Sequence, residues 1–302
     1  MNPIKIHNQQ IEAPEADYII LAGPTGVGKT ETVIQLASEQ DIEVISGDSR
    51  QIYQYMDIGT ATPEAEILEL VPHHLINQLT PDTTWDASSF YRQTRNIILE
   101  IIDRGKLPVV VGGAGLYLDA LRDGLFNEQQ KHPELREKYQ AKVDAGEAQD
   151  LWEKLLKLDP EYAETFHFNN HKKLMRAFEI YDSTGKIPSQ VFAESKDPFE
   201  KKDLFVVLDR DRKILYERID QRVRGMLDAG LVSECQSLLR LGFTADMYPI
   251  RTIGYKEVYA FLRGELDEAD MISTIQKNTR NFAKRQLTWF RNHPFDYWID
   301  LG

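Results

Sequence analysis

Tyr18-Ile19-Ile20-Leu21-Ala22-Gly23-Pro24-Thr25-Gly26-Val27-Gly28-Lys29-Thr30 runs from five apolar residues into a complete G-x-x-x-x-G-K-[ST] pattern. The apolar run reads as a buried strand, and Glu31–Glu39 after it reads as a helix. Glycines at these spacings let the backbone bend round phosphate oxygens so that several N–H groups converge on them. Lys29 adds a point charge, and the Thr30 hydroxyl is placed to ligate Mg²⁺. A plain glycine turn would not need the Lys-Thr pair. The segment Gly23, Pro24, Thr25, Gly26, Val27, Gly28, Lys29 and Thr30 is therefore expected to cradle a phosphate compound, whose identity the loop leaves open.

Outward from this loop, Glu43–Ser46 reads as a second strand delivering Gly47-Asp48-Ser49-Arg50-Gln51. Phe90–Arg104 shows a helical face through Ile97, Ile98, Ile101 and Ile102. Leu107–Val111 is a wholly apolar strand running into Gly112-Gly113-Ala114-Gly115-Leu116-Tyr117. Such alternation predicts an α/β fold, a P-loop NTPase-like parallel sheet flanked by helices, with ligands at the carboxyl ends of the strands. The rhythm stops near Asp123. Helical spacing then dominates: Leu135, Tyr139 and Val143; Leu151, Leu155 and Leu158; Leu174, Phe178 and Tyr181. Leu204–Leu208 restores a strand, with helices expected to the end. The chain thus divides into an N-terminal arm (1–17), a catalytic core (18–122 and 200–302) and a helical insertion domain (123–199).

The chain has 302 residues and a net charge of −12, from 48 acidic and 36 basic residues. No apolar run approaches the roughly 20 residues that span a bilayer, so no membrane partner is expected. No secretory signal is visible. Cys235 is the only cysteine, which excludes an internal disulfide and a cysteine-rich zinc site; its helical spacing with leucines reads as packing. A cytoplasmic monomer is expected. The net charge opposes a polyanionic partner, yet Met271–Phe295 contains no Asp or Glu and carries Lys277, Arg280, Lys284, Arg285 and Arg291. A basic stripe on an acidic chain suits a polyanion bound at one face.

Asp48, at a strand end facing the phosphate loop, could bind Mg²⁺, activate a nucleophile or cap a turn. The glycine turn after Leu107–Val111 permits close approach of a ligand or of a second segment. Arg222 and Arg224 fall outside the apolar face of Ile219, Val223, Met226 and Leu227, where solvated charge is the ordinary outcome. Pro249–Lys256 suits a ribose-phosphate backbone or a plain helix start. In Thr279–Arg291, Phe282, Leu287, Trp289 and Phe290 are expected in the core. His73 and His74 have no companions for a metal set.

Taken in order, Gly23–Thr30, Asp48–Tyr53, Met56–Ala61, Gly112–Tyr117, Arg251–Lys256 and Thr279–Arg291 closely resemble the motifs of bacterial tRNA dimethylallyltransferases, the tRNA isopentenyltransferase family. The similarity runs from about Tyr18 to Arg291. It implies transfer of a dimethylallyl group from its diphosphate to N6 of the adenine just 3′ of the anticodon, with Mg²⁺ as cofactor. By correspondence Asp48 is the base. Lys29, Thr30 and Arg222 clamp the diphosphate, with Thr30 also ligating the metal. The tRNA anticodon stem-loop is expected to meet Asp48, Ser49, Arg50 and Gln51, Ala114, and Lys172, Lys173 and Arg176 of the insertion. Arg251, Thr252, Ile253, Gly254, Tyr255 and Lys256 are expected to contact it too, as are Arg280, Lys284 and Arg285. Ala114 departs from the pattern, because relatives usually carry Thr there. Two rivals are an adenylate isopentenyltransferase acting on AMP or ATP, and a P-loop kinase or NTPase. The insertion and the basic stripe argue against the first. Against the second, Asp209 is the sole candidate for another acidic strand end.

Overall fold

Ile4-Lys5-Ile6 alternates apolar and polar residues, but over too short a run to separate from an irregular arm by sequence. It forms β1 (Ile4–Ile6), paired antiparallel with β2 (Gln9–Ile11) through a turn at His7 and Asn8. Ile4, Ile6 and Ile11 are all buried and join the core cluster that includes Val33 and Leu36. The loose lead-in expected at the amino end is thus a docked hairpin, held by three isoleucines on one face. The computed structural model describes residues 3–12, 15–124, 132–194 and 199–302; the expectations for residues 1, 2, 13, 14, 125–131 and 195–198 lie outside them.

The elements continue with β3 (Tyr18–Ala22), α1 (Lys29–Glu39), β4 (Ile42–Ser46), α2 (Ala65–Leu70), β5 (His73–His74), α3 (Ala87–Asp103), β6 (Leu107–Gly112) and α4 (Gly115–Asp123). Next come α5 (Pro133–Asp144), α6 (Ala148–Leu158), α7 (Pro160–Ala163), α8 (His171–Thr184) and α9 (Pro188–Glu194). The chain closes with β7 (Asp203–Asp209), α10 (Arg212–Asp228), α11 (Leu231–Arg240), α12 (Tyr255–Leu262), α13 (Glu268–Arg291) and β8 (Tyr297–Asp300). By contacts it divides into two compact units, 1–122 with 199–302, and 123–198.

In the first unit β3 to β8 form one parallel sheet in the order β5-β4-β6-β3-β7-β8. A strand covered on both faces has no solvent side, so it is apolar at nearly every position. Accordingly all five residues of β3 and of β4 are buried. The chain leaves β3 toward β4, returns to place β6 between them, and later adds β7 on the other side. The loops after β3, β4, β6 and β7 therefore open at one edge of the sheet, around the point where strand order reverses. The helices expected to run to the end give way to β8. Asn292-His293-Pro294 ends α13, and Ile299 is fully buried beside β7. A four-residue edge strand with one core side chain carries too little periodicity to be read.

Near the amino ends of the strands, Glu43 is buried with Arg104 Nη2 at 2.6 Å and His74 Nε2 at 2.7 Å. Burial alone would raise its pKa, but hydrogen bonds from Arg104 and His74 outweigh it and hold the carboxyl at about 2. A depressed folded pKa contributes stability that is complete above the unfolded value of 4.5 and disappears as pH falls toward 2. Acid titration of unfolding should therefore show a loss of about 1–2 kcal/mol from this group, allowing for the solvent-exposed Arg104 partner. Glu43→Gln should remove that limb; an unchanged acid limb would rule the pair out as its origin.

The second unit has its own core of Tyr139, Val143, Leu151, Leu155, Leu174 and Phe178, with Tyr139 and Phe178 stacked at 5.1 Å. Asp159 is buried because its carboxylate accepts from Tyr162 N at 3.2 Å and Ser189 N at 2.8 Å, satisfying two helix starts. No helix of the described residues is long and apolar enough to cross a membrane.

Candidate active site

The phosphate loop leaves β3 and enters α1 with Gly28 at the N-cap and φ of 121°, a conformation side chains oppose. Lys29 Nζ donates to Gly23 O at 2.9 Å and Pro24 O at 3.0 Å, so the ammonium lies folded along the loop. Burial and then the Arg222 charge push the Lys29 pKa down to about 8, against the opposing pull of Asp48 and Glu31. Two arginines brace the loop from outside: Arg218 Nε donates to Gly26 O at 2.9 Å and Arg210 Nε to Val27 O at 3.1 Å. Neither was singled out from the sequence, where each is an ordinary surface charge.

Arg222, on α10, is half-buried and has no hydrogen bond or ion pair with any described residue. Burial lowers its pKa, while the nearby carboxylates of Asp48 and Glu31 favour the charge. A guanidinium in that condition is a ready anion site.

Across the sheet edge, Ser46 ends β4 with its hydroxyl donating to Gln51 Oε1 at 2.7 Å and accepting from Asp48 N at 3.3 Å. Asp48 Oδ1 accepts the Arg50 N–H at 2.8 Å, an Asx-type turn in which Oδ2 has no hydrogen bond to any described residue. The competing roles expected of Asp48 are thus compatible, since one oxygen caps and the other is free. Arg50 Nε donates to Thr252 Oγ1, joining the turn to Pro249–Lys256. Gln51 Nε2 donates to Ala61 O at 3.1 Å. The amide expected to meet RNA is therefore engaged within the protein.

The Met56–Ala61 loop is held by Glu234, on α11. Its carboxylate accepts from Asp57 N and Ile58 N at 2.8 Å and from Gly59 N at 3.1 Å. Tyr255 OH donates to the same carboxylate at 2.7 Å, and a Cβ on Gly59 would strike the Tyr255 ring. Tyr255 and Gly254 are buried, which corrects their expected contact with RNA: Tyr255 supports the loop from inside. Four non-glycine residues here adopt left-handed backbone (Tyr55, Ala61, Leu75, Asn77). These are the signature of a segment fixed by its surroundings.

Gln286, on α13, was missed altogether. Its Oε1 accepts from Thr25 N and its Nε2 donates to Gly113 O, both at 2.9 Å. One buried amide thus ties the phosphate loop to the glycine turn after β6, and Gly113 has no room for a Cβ against it. The available signal was a Gln on the apolar spacing Ala283, Gln286, Leu287 and Phe290, all buried. Gln286→Leu should cost about 2–3 kcal/mol of stability through two orphaned polar groups. It should also lower kcat/KM about a hundredfold through misplaced loops. Urea unfolding and initial rates check the two effects, and wild-type values for both would remove the bridge from the site.

For Mg²⁺, the Thr30 hydroxyl is exposed at the first turn of α1 and bonds to no described residue, and Asp48 Oδ2 is open. No cluster of three or more His, Cys, Asp or Glu exists among the described residues. Asp209 is committed elsewhere: it accepts from Arg210 N at 2.8 Å and Trp298 Nε1 at 3.2 Å.

Ala114 sits at the start of α4, its carbonyl accepting from Tyr117 N at 2.8 Å, with no hydroxyl to offer a ligand. Arg251 and Lys256 are exposed and Ile253 half-buried. Lys284 and Arg285 are exposed, but Arg280 is paired with Asp220 at 2.5 Å, so its charge is already matched. Phe282 is 38% exposed, against the expectation of a core role; Leu287 and Phe290 are buried. In the second unit, Lys172 and Lys173 are exposed on the first turn of α8, and Arg176 pairs with the buried Glu179 at 3.3 Å.

A family model described as IPP transferase matches residues 51–293. A tRNA dimethylallyltransferase of Petrotoga mobilis is 42% identical over 285 residues, covering 94% of this chain and 93% of the relative. That of Bacillus subtilis is 43% identical over 284 residues, covering 94% and 90%. The crystal structure of the full-length tRNA isopentenylpyrophosphate transferase from Bacillus halodurans matches with a TM-score of 0.69 at 38% identity, covering 94% of this chain and 89% of that one. A eukaryotic dimethylallyltransferase captured acting on tRNA matches with a TM-score of 0.78 at 31% identity, covering 94% and 73%.

Proposed function

The chain belongs to the IPP transferase family, and from that we propose a tRNA dimethylallyltransferase that moves the dimethylallyl group of dimethylallyl diphosphate to N6 of the adenine just 3′ of the anticodon. The observation that carries the mechanism is the pairing, at one sheet edge, of a carboxylate with one open oxygen (Asp48) and an unpartnered half-buried guanidinium (Arg222) beside the phosphate loop.

In this reading the diphosphate lies on the loop N–H groups, with Lys29 and Arg222 matching its charge. The allylic C1–O bond breaks as the N6 lone pair forms the new bond to C1. The electron pair of the broken bond leaves with the diphosphate, and the amine proton passes to Asp48 Oδ2. An aryl amine is a weak nucleophile, so the barrier falls mainly through fixed cations facing the growing negative charge and through aiming of the amine. Mg²⁺, held by Thr30, would add further neutralisation of the leaving group. The target base must leave its stack, which is cheap in a hairpin loop. Arg251, Lys284, Arg285, Lys172 and Lys173, all exposed, supply local positive charge for the RNA backbone on an otherwise acidic chain, and Lys256, exposed but 3.5 Å from the Glu257 carboxylate, supplies less. A cytoplasmic monomer fits this role.

The test supplies labelled dimethylallyl diphosphate with an unmodified anticodon stem-loop, with AMP, and with ATP alone. Label in RNA only is the expected result. Label in AMP, or phosphate released from ATP without the isoprenoid, would overturn the reading.

A further inference from the structure

Tyr248 is 62% exposed, and it stands on a hydrogen-bonded turn. The turn closes through Ile250 N to Met247 O at 3.1 Å and Thr252 N to Pro249 O at 3.2 Å. Ile250, fully buried, anchors the turn in the core. The Arg50 guanidinium lies 4.3 Å from the Tyr248 ring centroid, within cation–π range.

Arg50 is itself fixed at three points. Its Nε donates to Thr252 Oγ1, its Nη1 to Ser49 O at 3.0 Å, and its backbone N–H to Asp48 Oδ1 at 2.8 Å. The ring is therefore backed by a cation whose own main chain binds the candidate base. Burial is the main reason the Tyr53 and Tyr117 hydroxyls resist ionisation, and Tyr248 lies near enough to both to add to it. An aromatic ring with a cation against it and much of its surface in water offers a flat face to a planar ligand.

We propose that the Tyr248 ring, backed by Arg50, is the stacking platform for one nucleobase of the RNA loop, the neighbour of the adenine delivered to Asp48. The inference rests on the RNA-modifying reading above. Extruding one base breaks its stack with the next, and an aromatic platform beside the acceptor pocket replaces that stack. Exposed Arg251 on the following segment provides charge for an adjoining phosphate. Stacking tolerates any base, so the platform contributes affinity and register while Asp48 selects the amine.

The experiment measures binding of an unmodified anticodon stem-loop, with donor KM and thermal stability as controls, for Tyr248→Phe, Tyr248→Trp, Tyr248→Leu and Tyr248→Ala. The Ala and Leu variants should bind RNA about tenfold more weakly, the size of one base–aromatic stack. Phe and Trp should stay within about twofold of wild type, and donor KM and stability should hold throughout. A Leu variant equal to Phe, or an Ala variant equal to wild type, would overturn the platform. As a second arm, single abasic nucleotides are scanned through the loop. Removing one neighbour of the target adenine should weaken wild type about tenfold and leave Tyr248→Ala unaffected; additive losses at every position would overturn it. If wild-type protein prenylates the stem-loop while these variants are indistinguishable, the platform alone falls. If wild type neither binds nor prenylates it, the RNA reading falls and takes the platform with it.

Discussion

Asp48→Asn should cut prenyl transfer to RNA by about a thousandfold, within the range assigned to a positioned general base, while donor binding stays nearly intact. The substitution is informative because Asn can still accept the Arg50 N–H that Asp48 Oδ1 now accepts at 2.8 Å. The turn geometry survives, and what is lost is a charged oxygen able to take the amine proton. Asp48→Ala loses both and should be no more active, with a modest stability cost for the missing cap. Single-turnover label transfer at saturating donor isolates the chemical step. Wild-type rates in the Asn variant would remove proton acceptance by Asp48 from the mechanism.

Arg222→Met should separate function from stability. Burying a guanidinium without a partner is unfavourable, and an apolar side chain of similar reach relieves that, so the ligand-free melting temperature should hold or rise. On the proposed reading Arg222 faces the leaving diphosphate where charge grows, so activity should fall about a hundredfold or more. Added dimethylallyl diphosphate should raise the wild-type melting temperature and leave that of the variant almost unmoved. A variant that melts lower than wild type and keeps its activity would mark Arg222 as structural. Lys29 acts in the same field, and its lowered pKa reflects burial first and the Arg222 charge second.

Legibility varied with the range of the interactions involved. Strands β3, β6 and β7 were readable because burial on both faces demands long apolar runs, and β4 was readable from Val44 and Ile45 despite its buried Glu43 and Ser46. The β1–β2 hairpin and β8 were not, since strands of three and four residues carry too little periodicity to read, and β8 pairs with β7 from far along the chain. Arg222 entered through family resemblance, because its spacing looks like solvated surface; the structure leaves it half-buried and unpaired. Tyr255 was read as an RNA contact from the motif around it, and its burial against Gly59 and Glu234 shows how a motif mixes contact residues with their supports.

By itself the sequence determined the phosphate loop, the parallel sheet and the acidic residue at its edge, because each follows from local backbone freedom or from apolar periodicity within one segment. Only the tertiary structure decided which polar groups are already satisfied and which wait for a ligand. Gln51, Asp209 and Arg280 are engaged, while Arg222, Asp48 Oδ2 and the Thr30 hydroxyl have no hydrogen bond or ion pair among the described residues. Gln286 and Glu234 act across 173 and 177 residues of chain. Hydrogen-bond satisfaction depends on partners that folding brings together from distant positions, and no local pattern encodes that pairing.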